Sequence, residues 1–271
     1  GRPGHVLRHR DPENTALPTV IGIQLGAHVR KALAKRARKA SATVADAANA
    51  AWALVLGALL DTDIPVYGTV SSGRAIDVPG MAQLPGMFID TLPVAVDLEQ
   101  KNSTALLGAA HAAGRWIVES AGVPLSKITG ALGVGTLFDT LLVVENYPQT
   151  EGNTPDGAPR LGKIHSQDAT EYPLSVSVSV GEVLEVELEF GAEVPETAAR
   201  QVLSALVVAF ECLALGTALP VRAGCWQPGW LRRARSWPRD ARHAAPRGAD
   251  AAVVDAVAAA YGQVLRMPTA G

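Results

Sequence analysis

The sequence has only two cysteines, Cys212 and Cys225, and their separation does not match the ligand spacing of a zinc site. Two isolated thiols are typical of proteins in a reducing compartment and indicate no disulfide framework. No apolar run reaches the ~18 residues that cross a bilayer, and the first residues do not resemble a signal peptide. We therefore expect a cytoplasmic protein with no membrane partner and no bound metal.

The sequence also has no large excess of positive or negative charge, and aromatic side chains are scarce. The chain has 24 Lys and Arg against 26 Asp and Glu, a net charge of −2, and only 5% aromatic residues. This balance predicts no nucleic-acid partner, because such partners attract strongly basic proteins. Residues 226–247 combine Trp with Arg, but the prolines around them favour an interdomain linker.

Hydrophobic residues, in contrast, make up 48% of the sequence, which is enough for a sizeable core. Their periodicity alternates between the spacing of strands and that of helices. It predicts strands at 19–24, 64–71, 87–96, 137–144, 163–168, 174–180 and 183–190, and helices at 28–40, 43–60, 104–120 and 194–215. A mobile loop is predicted at 120–135. This order indicates an α/β layered domain with a mixed sheet.

Two of the predicted helices have unusual compositions. The helix at 28–40 is strongly basic, which is compatible with phosphate or membrane binding but more typical of a solvated outer face. The helix at 43–60 is apolar nearly all round, which predicts burial between layers, and Ser41 or Thr43 is expected to cap it.

In the helix at 104–120, His111 is expected to be a surface or packing residue rather than a ligand.

Three sequence motifs stand out because of their length and order. They are VYGTVSSGR from Val66 to Arg74, MFIDTLPV from Met87 to Val94, and LFDTLLVVENYP from Leu137 to Pro148. They resemble the FGxTVSGRP, VGxFINTLPV and FDxLLVFENYP motifs of nonribosomal peptide synthetase condensation domains, in the same order and at similar spacing. Asp90 stands where that family usually has asparagine, and Ala95 where it has arginine.

The resemblance implies a fold like that of chloramphenicol acetyltransferase, of which this chain would hold one lobe. Residues 1–16 would be an irregular lead-in, 17–217 the C-terminal lobe of a condensation domain and 218–248 a linker. Residues 249–271 resemble the first helix of a peptidyl carrier domain. The family joins two carrier-bound thioesters through an amide bond, so the implied partners are carrier domains, which deliver 4′-phosphopantetheine; no cofactor would be bound covalently by this chain.

The resemblance also implies roles for four residues. Arg74 would pair with the aspartate of an HHxxxDG motif on the N-terminal lobe and clamp the two lobes together. Asn146 would line the substrate tunnel, and Ser72 and Asp90 would contribute to the same wall. A guanidinium suits the clamp because it binds a carboxylate through paired hydrogen bonds.

The catalytic histidine motif of the family is absent from this sequence. None of the six histidines has a neighbouring histidine or precedes Asp-Gly at the required distance. We therefore assign no catalytic residue within residues 1–271 and expect the chain to be inactive alone. Two alternatives stay open: a non-catalytic remnant that docks carrier proteins, and an acyltransferase that uses CoA or a carrier. An epimerisation domain would have the same fold and a similar motif order.

Overall fold

The computed structural model describes Val6 and residues 17–72, 84–86, 88–100, 102–119, 123–145 and 172–216. Within them the chain forms six strands and five helices. The strands are β1 (Thr19–Leu25), β2 (Val66–Ser71), β3 (Asp90–Ala95), β4 (Thr140–Glu145), β5 (Leu174–Val180) and β6 (Leu184–Phe190). The helices are α1 (Ala27–Lys39), α2 (Val44–Leu60), α3 (Ser103–Glu119), α4 (Leu125–Ala131) and α5 (Glu196–Leu215). The strand predicted at 163–168 and the linker and carrier-like segments lie outside the described residues.

All six strands belong to one mixed sheet with the order β1-β6-β5-β4-β2-β3. Strand β4 runs parallel to both β2 and β5, while β2–β3, β5–β6 and β1–β6 are antiparallel. The β5–β6 hairpin arises from the Leu-Ser-Val-Ser-Val alternation followed by the turn at Gly181. The predicted α/β fold with a mixed sheet is therefore confirmed.

One face of the sheet packs against the helices, and on β6 the opposite face is acidic. A row of paired residues, Leu92, Thr69, Leu142, Val176 and Leu188, crosses five strands, and every member is buried. Tyr67 lies on the same face, where its hydroxyl donates to Asn49 Oδ1 of α2 at 2.9 Å, so this face packs against the helices. On β6 the opposite face carries Glu185, Glu187 and Glu189, of which the first two are exposed. The period-2 pattern thus sets which side forms the core.

Helix α2 occupies the centre of the molecule. Almost all of its residues from Asp46 to Leu59 are buried, including Trp52, and it contacts α1, α3, α5 and the sheet. The prediction that this helix lies between layers is confirmed. Its N-terminus has a capping box, in which Thr43 Oγ1 accepts from the Asp46 N–H at 3.1 Å and Asp46 Oδ2 accepts from the Thr43 N–H at 2.8 Å.

The same aspartate connects α2 to α3. His111 Nδ1 lies 3.0 Å from Asp46 Oδ2, and the Asp46 carboxylate is largely shielded from solvent. A side chain at Gly114 would meet Asp46 Oδ1 at 2.9 Å, so the glycine lets the two helices approach. His111 therefore joins α3 to α2 through a polar contact.

The segment 120–135 and the start of β4 differ from the predictions. A loop was expected from the glycines at 120–135, but residues 125–131 form α4, because Ile128 and Leu132 are buried against the core. Seven residues are too few to show a helical period in the sequence. Strand β4 begins at Thr140 rather than Leu137, and only its first half, Thr140 to Leu142, is buried on both faces.

Helix α5 is long and apolar enough to cross a bilayer, with a mean hydropathy of 1.7 over its most apolar window. Half of that window is buried, and the helix contacts α1, α2, β1 and β6. Buried positions such as Val202, Leu206 and Phe210 repeat at helical spacing. It therefore packs as the core helix of a globular domain.

We predict that Asp46→Asn destabilises the fold by about 1–2 kcal/mol, because the amide replaces the carboxylate that completes the capping box of α2 and pairs with His111. Urea unfolding followed by circular dichroism measures this change. Glu211→Gln, which removes an exposed carboxylate from α5, is the matched control and should change the free energy of unfolding little. Equal effects of the two substitutions would contradict the role of Asp46.

Candidate functional site

The carboxyl ends of β2, β4 and β5 meet at one edge of the sheet, because these three strands run in the same direction. The strands of two of the three sequence motifs end there. Strand β2 finishes in Ser71 and Ser72 follows it, and β4 finishes in Glu145. The antiparallel β3 begins at this edge with Asp90, directly opposite Ser71. The structure thus brings the motif residues Ser72 and Asp90 to the same edge.

The other two residues expected at the site, Arg74 and Asn146, lie outside the described residues. Arg74 follows Ser72 by two positions, and Asn146 follows Glu145 directly. Their roles stay predictions that rest on the family resemblance.

Strands β2 and β4 are joined below this edge by a short ladder and by one side-chain hydrogen bond. Only Gly68–Leu141 and Thr69–Leu142 pair in register between the two strands. Thr69 Oγ1 adds a hydrogen bond to the carbonyl oxygen of Leu142 at 2.9 Å, and Thr69 is buried. The threonine of the VYGTV motif therefore strengthens a short parallel ladder, a role its sequence position alone does not reveal.

Gly68 has a packing role in the same ladder. A Cβ atom at this position would lie 2.3 Å from Cε2 of Phe138, whose ring is buried and stacks on Tyr172 at a centroid distance of 5.6 Å. The Phe138 ring thus occupies the space that any side chain on Gly68 would need. The glycine of the first motif and the phenylalanine of the third therefore pack against each other.

A polar row runs across the sheet at the level of Glu145. Ser179 Oγ donates to Glu145 Oε2 at 2.9 Å, and Gln24 Nε2 donates to Glu185 Oε1 at 2.7 Å. Glu185 is also the register partner of both Ser179 and Gln24. The alternation of Ser with apolar residues in β5 gives this strand a polar face. The pairing of Ser179 with Glu145 depends on the parallel arrangement of β4 and β5, which the sequence does not show.

The electrostatics of this edge centre on Asp90. Burial raises the pKa of the Asp90 carboxyl, while a hydrogen bond from the Thr91 N–H at 3.0 Å acts in the opposite direction. A neutral amide, which the related motif has at this position, would avoid the cost of burying a charge.

Tyr67, in the core, also has a shifted pKa. Burial is the larger cause and the Asp46 carboxylate the smaller, and both raise the pKa of the phenol well above its ordinary value.

The described edge offers hydrogen-bonding groups rather than a nucleophile with its base. The two histidines in the described ranges, His28 and His111, lie on α1 and α3, and His111 contacts Asp46. Across those ranges, no three side chains of His, Cys, Asp or Glu come together as a metal site requires. The arrangement suits the binding and positioning of polar groups.

Comparison with known proteins identifies the class of this domain. The family model for the condensation domain matches residues 7–222, and the chain belongs to this family. The N-(5-amino-5-carboxypentanoyl)-L-cysteinyl-D-valine synthase of Amycolatopsis lactamdurans is 31% identical over 197 residues, which are 70% of this chain and 5% of that protein. The vanchrobactin synthetase VabF of Vibrio anguillarum is 35% identical over 142 residues, 51% of this chain and 5% of that protein. The chain thus spans only a small part of these curated relatives.

Solved structures of condensation domains share the fold. The condensation domain from the Monacolin K polyketide synthase MokA superposes with a TM-score of 0.64 at 16% identity, covering 81% of this chain and 54% of that chain. The first condensation domain of the calcium-dependent antibiotic synthetase, in complex with a substrate analogue, gives 0.63 at 19% identity, covering 79% and 49%. The fold is therefore the chloramphenicol acetyltransferase-like fold of condensation domains, and the chain spans about half of each.

We predict that Asp90→Asn raises the melting temperature at pH 7. Because the pKa of Asp90 is raised in the folded state, folding favours the protonated carboxyl, and this contribution is lost as the pH rises through the folded-state value. The advantage of the amide should therefore vanish below about pH 4, where the unfolded carboxyl is also protonated. Melting curves from pH 3 to 8 measure it. Asp90→Ala also loses the acceptor for the Thr91 N–H, so its melting temperature should rise less than that of Asp90→Asn. A difference in melting temperature between Asp90→Asn and wild type that does not change with pH would contradict this account.

We also predict that Gly68→Ala destabilises the fold by about 1–3 kcal/mol, because the added methyl group collides with the Phe138 ring. Gly108→Ala in α3 is the matched control, since a Cβ there meets no atom within 4 Å. Alanine at that helical position should stabilise by about 0.5–1 kcal/mol. Chemical denaturation compares both variants with wild type, and a neutral Gly68→Ala would show that the Phe138 ring moves freely.

Proposed function

We propose that this chain is the C-terminal lobe of a nonribosomal peptide synthetase condensation domain. In this role it forms one wall of the tunnel in which the amine of an acceptor aminoacyl thioester attacks the carbonyl carbon of a donor thioester. An amide bond forms, the carbon–sulfur bond breaks, and the donor's thiol leaves. Both reactants would arrive on the 4′-phosphopantetheine arms of carrier domains.

One observation carries this proposal: the strands of the three motifs that mark the family meet at a single edge of the sheet, where β2 and β4 end and β3 begins. Ser72 at the end of β2, Asp90 at the start of β3 and Glu145 at the end of β4 share that edge. Arg74 and Asn146, which follow these strand ends in the sequence, are the proposed clamp and tunnel residues. The match to about half of each solved condensation domain chain fits a single lobe.

Catalysis by such a lobe would be mainly positioning. Holding two tethered reactants in line removes much of the entropic barrier, and the Asn146 amide would hydrogen-bond the thioester or the nascent amide. Proton transfer from the attacking amine needs a histidine, and the HHxxxDG motif that supplies it in the family is absent from residues 1–271. We infer that the chain is inactive until a lobe with that motif pairs with it.

An exposed apolar side chain at the same edge is consistent with a second lobe. Ile89, immediately before Asp90, is 65% exposed. Contact with another lobe would remove it from water. Cytoplasmic localisation is part of the proposal, and the free thiol of Cys212 agrees with a reducing compartment.

Reconstitution with a separately expressed N-terminal lobe that carries HHxxxDG tests the proposal. The mixture should form amide product from a loaded donor carrier and a loaded acceptor carrier, measured by mass spectrometry, whereas this chain alone should form none. We expect Arg74→Ala to weaken lobe binding about tenfold or more, as loss of a paired guanidinium–carboxylate contact does. Asn146→Ala should lower turnover without weakening lobe binding.

Arg115→Ala is the control, because Arg115 is exposed on α3 and pairs only with Glu119 one turn away among the described residues. Its lobe binding and turnover should equal those of wild type. Amide formation by the chain alone would refute the half-enzyme proposal. Carrier binding without product, even with the second lobe present, would favour the non-catalytic docking remnant, and thioester release from acyl-CoA would favour the acyltransferase.

A further inference from the structure

Helix α1 presents a strongly basic surface. It contains six lysines and arginines and no acidic residue, although the whole chain has a net charge of −2. Lys31, Lys35, Arg38 and Lys39 are exposed, and none of the α1 cations forms an ion pair within 4 Å with any described carboxylate. The acidic residues elsewhere in the described ranges therefore do not neutralise this surface locally.

Part of this charge has a structural explanation. Arg36 donates from Nη2 to the carbonyl oxygen of Leu215 and so caps the C-terminal end of α5, beside the left-handed Gly216. Arg38 and Lys39 lie in the last turn of α1, where the helix dipole favours cations. The dipole does not explain Lys31 and Lys35, which are further from that end.

Lys31, Lys35 and Lys39 form a row at i, i+4, i+8 spacing, here called the lysine stripe. Like charges four residues apart on a helix repel one another and destabilise it. Lys35 and Lys39, together with Ala32, Arg36 and Ala214, line a shallow groove where α1 crosses the end of α5. The stripe is thus a surface that costs stability and has no partner among the described residues.

We propose that the lysine stripe docks a partner protein through a helix with a matching row of carboxylates. The stripe extends about 12 Å, the rise of eight helical residues, which matches two turns of a partner helix. Glutamates at the same four-residue spacing would place one carboxylate near each ammonium group. Such complementary charges accelerate association and set the orientation of the partner.

The geometry favours a protein helix that carries carboxylates over a membrane surface, a single-stranded nucleic acid or an isolated phosphate. An amphipathic helix enters a membrane surface through its apolar face, but in α1 that face, Val29, Leu33 and Ala37, is buried in the domain. Single-stranded nucleic acid binds to basic grooves with aromatic side chains, and α1 has no aromatic residue. An isolated phosphate is best held by an arginine fork or a helix N-terminus, whereas the stripe is a line of separate point charges.

The test uses the full chain and a labelled synthetic helical peptide with glutamates at i, i+4 and i+8. Fluorescence anisotropy should show binding that weakens as salt rises, and a peptide with glutamines at those positions should not bind. The triple variant Lys31→Gln, Lys35→Gln, Lys39→Gln should bind the glutamate peptide about tenfold or more weakly. The control triple variant Arg115→Gln, Lys127→Gln, Arg200→Gln removes the same charge elsewhere and should bind within about twofold of wild type.

Thermal melting of both triple variants separates binding from folding. Because repulsion along α1 is relieved, the stripe variant should melt no lower than wild type. Equal loss of binding in the two triple variants would show a net-charge effect and overturn the proposal. Binding of the glutamine peptide, or stripe-dependent binding of inorganic phosphate or anionic vesicles without binding of the glutamate peptide, would also overturn it. These outcomes do not depend on amide formation or on the second lobe.

Discussion

The parallel pairing of β2 with β4 is the contact on which the rest of the site depends. Thr69 and Leu142 lie 73 residues apart in the sequence, and only two register pairs join their strands. Two further contacts strengthen the pairing: the Thr69 hydroxyl bonds to the Leu142 carbonyl, and the Phe138 ring fits over Gly68. Without this ladder the ends of β2 and β4 would not share an edge, and the tunnel wall proposed here would not exist.

Beneath the sheet, α2 links the helical layer to the strands. Its small residues allow close packing on all sides, and polar contacts in its first half add to the burial. Thr43 caps the helix, and the Asp46 carboxylate accepts the Thr43 N–H and pairs with His111 of α3, while Asn49 accepts a hydrogen bond from the Tyr67 hydroxyl of β2. Buried polar groups of this kind stabilise a fold only when each forms its hydrogen bond. They therefore specify one arrangement of α2, α3 and β2.

The two faces of the sheet carry different side chains on the strands from β4 to β1. Leu142, Val176 and Leu188 face the helices, whereas the polar row of Glu145, Ser179, Glu185 and Gln24 lies on the opposite side. Asp90 departs from this division, because its carboxyl lies on the helix-facing side of the strand edge and its pKa is raised by burial. A charged group in that position costs stability, which is more typical of a functional edge than of a structural one.

Hydrophobic periodicity and contiguous motifs were enough to predict the α/β class, most strands, the long helices and the family. The sequence left Ser41 and Thr43 as alternative caps of α2, and the structure has Thr43. Helix α4, whose seven residues fold by burying Ile128, and the late start of β4 depend instead on tertiary packing. The contacts of Gly68 with Phe138 and of Ser179 with Glu145 also depend on it, since they join residues distant in the chain through strand order. Strand order follows from the packing of the whole sheet against α2 and α5, and no local pattern encodes it.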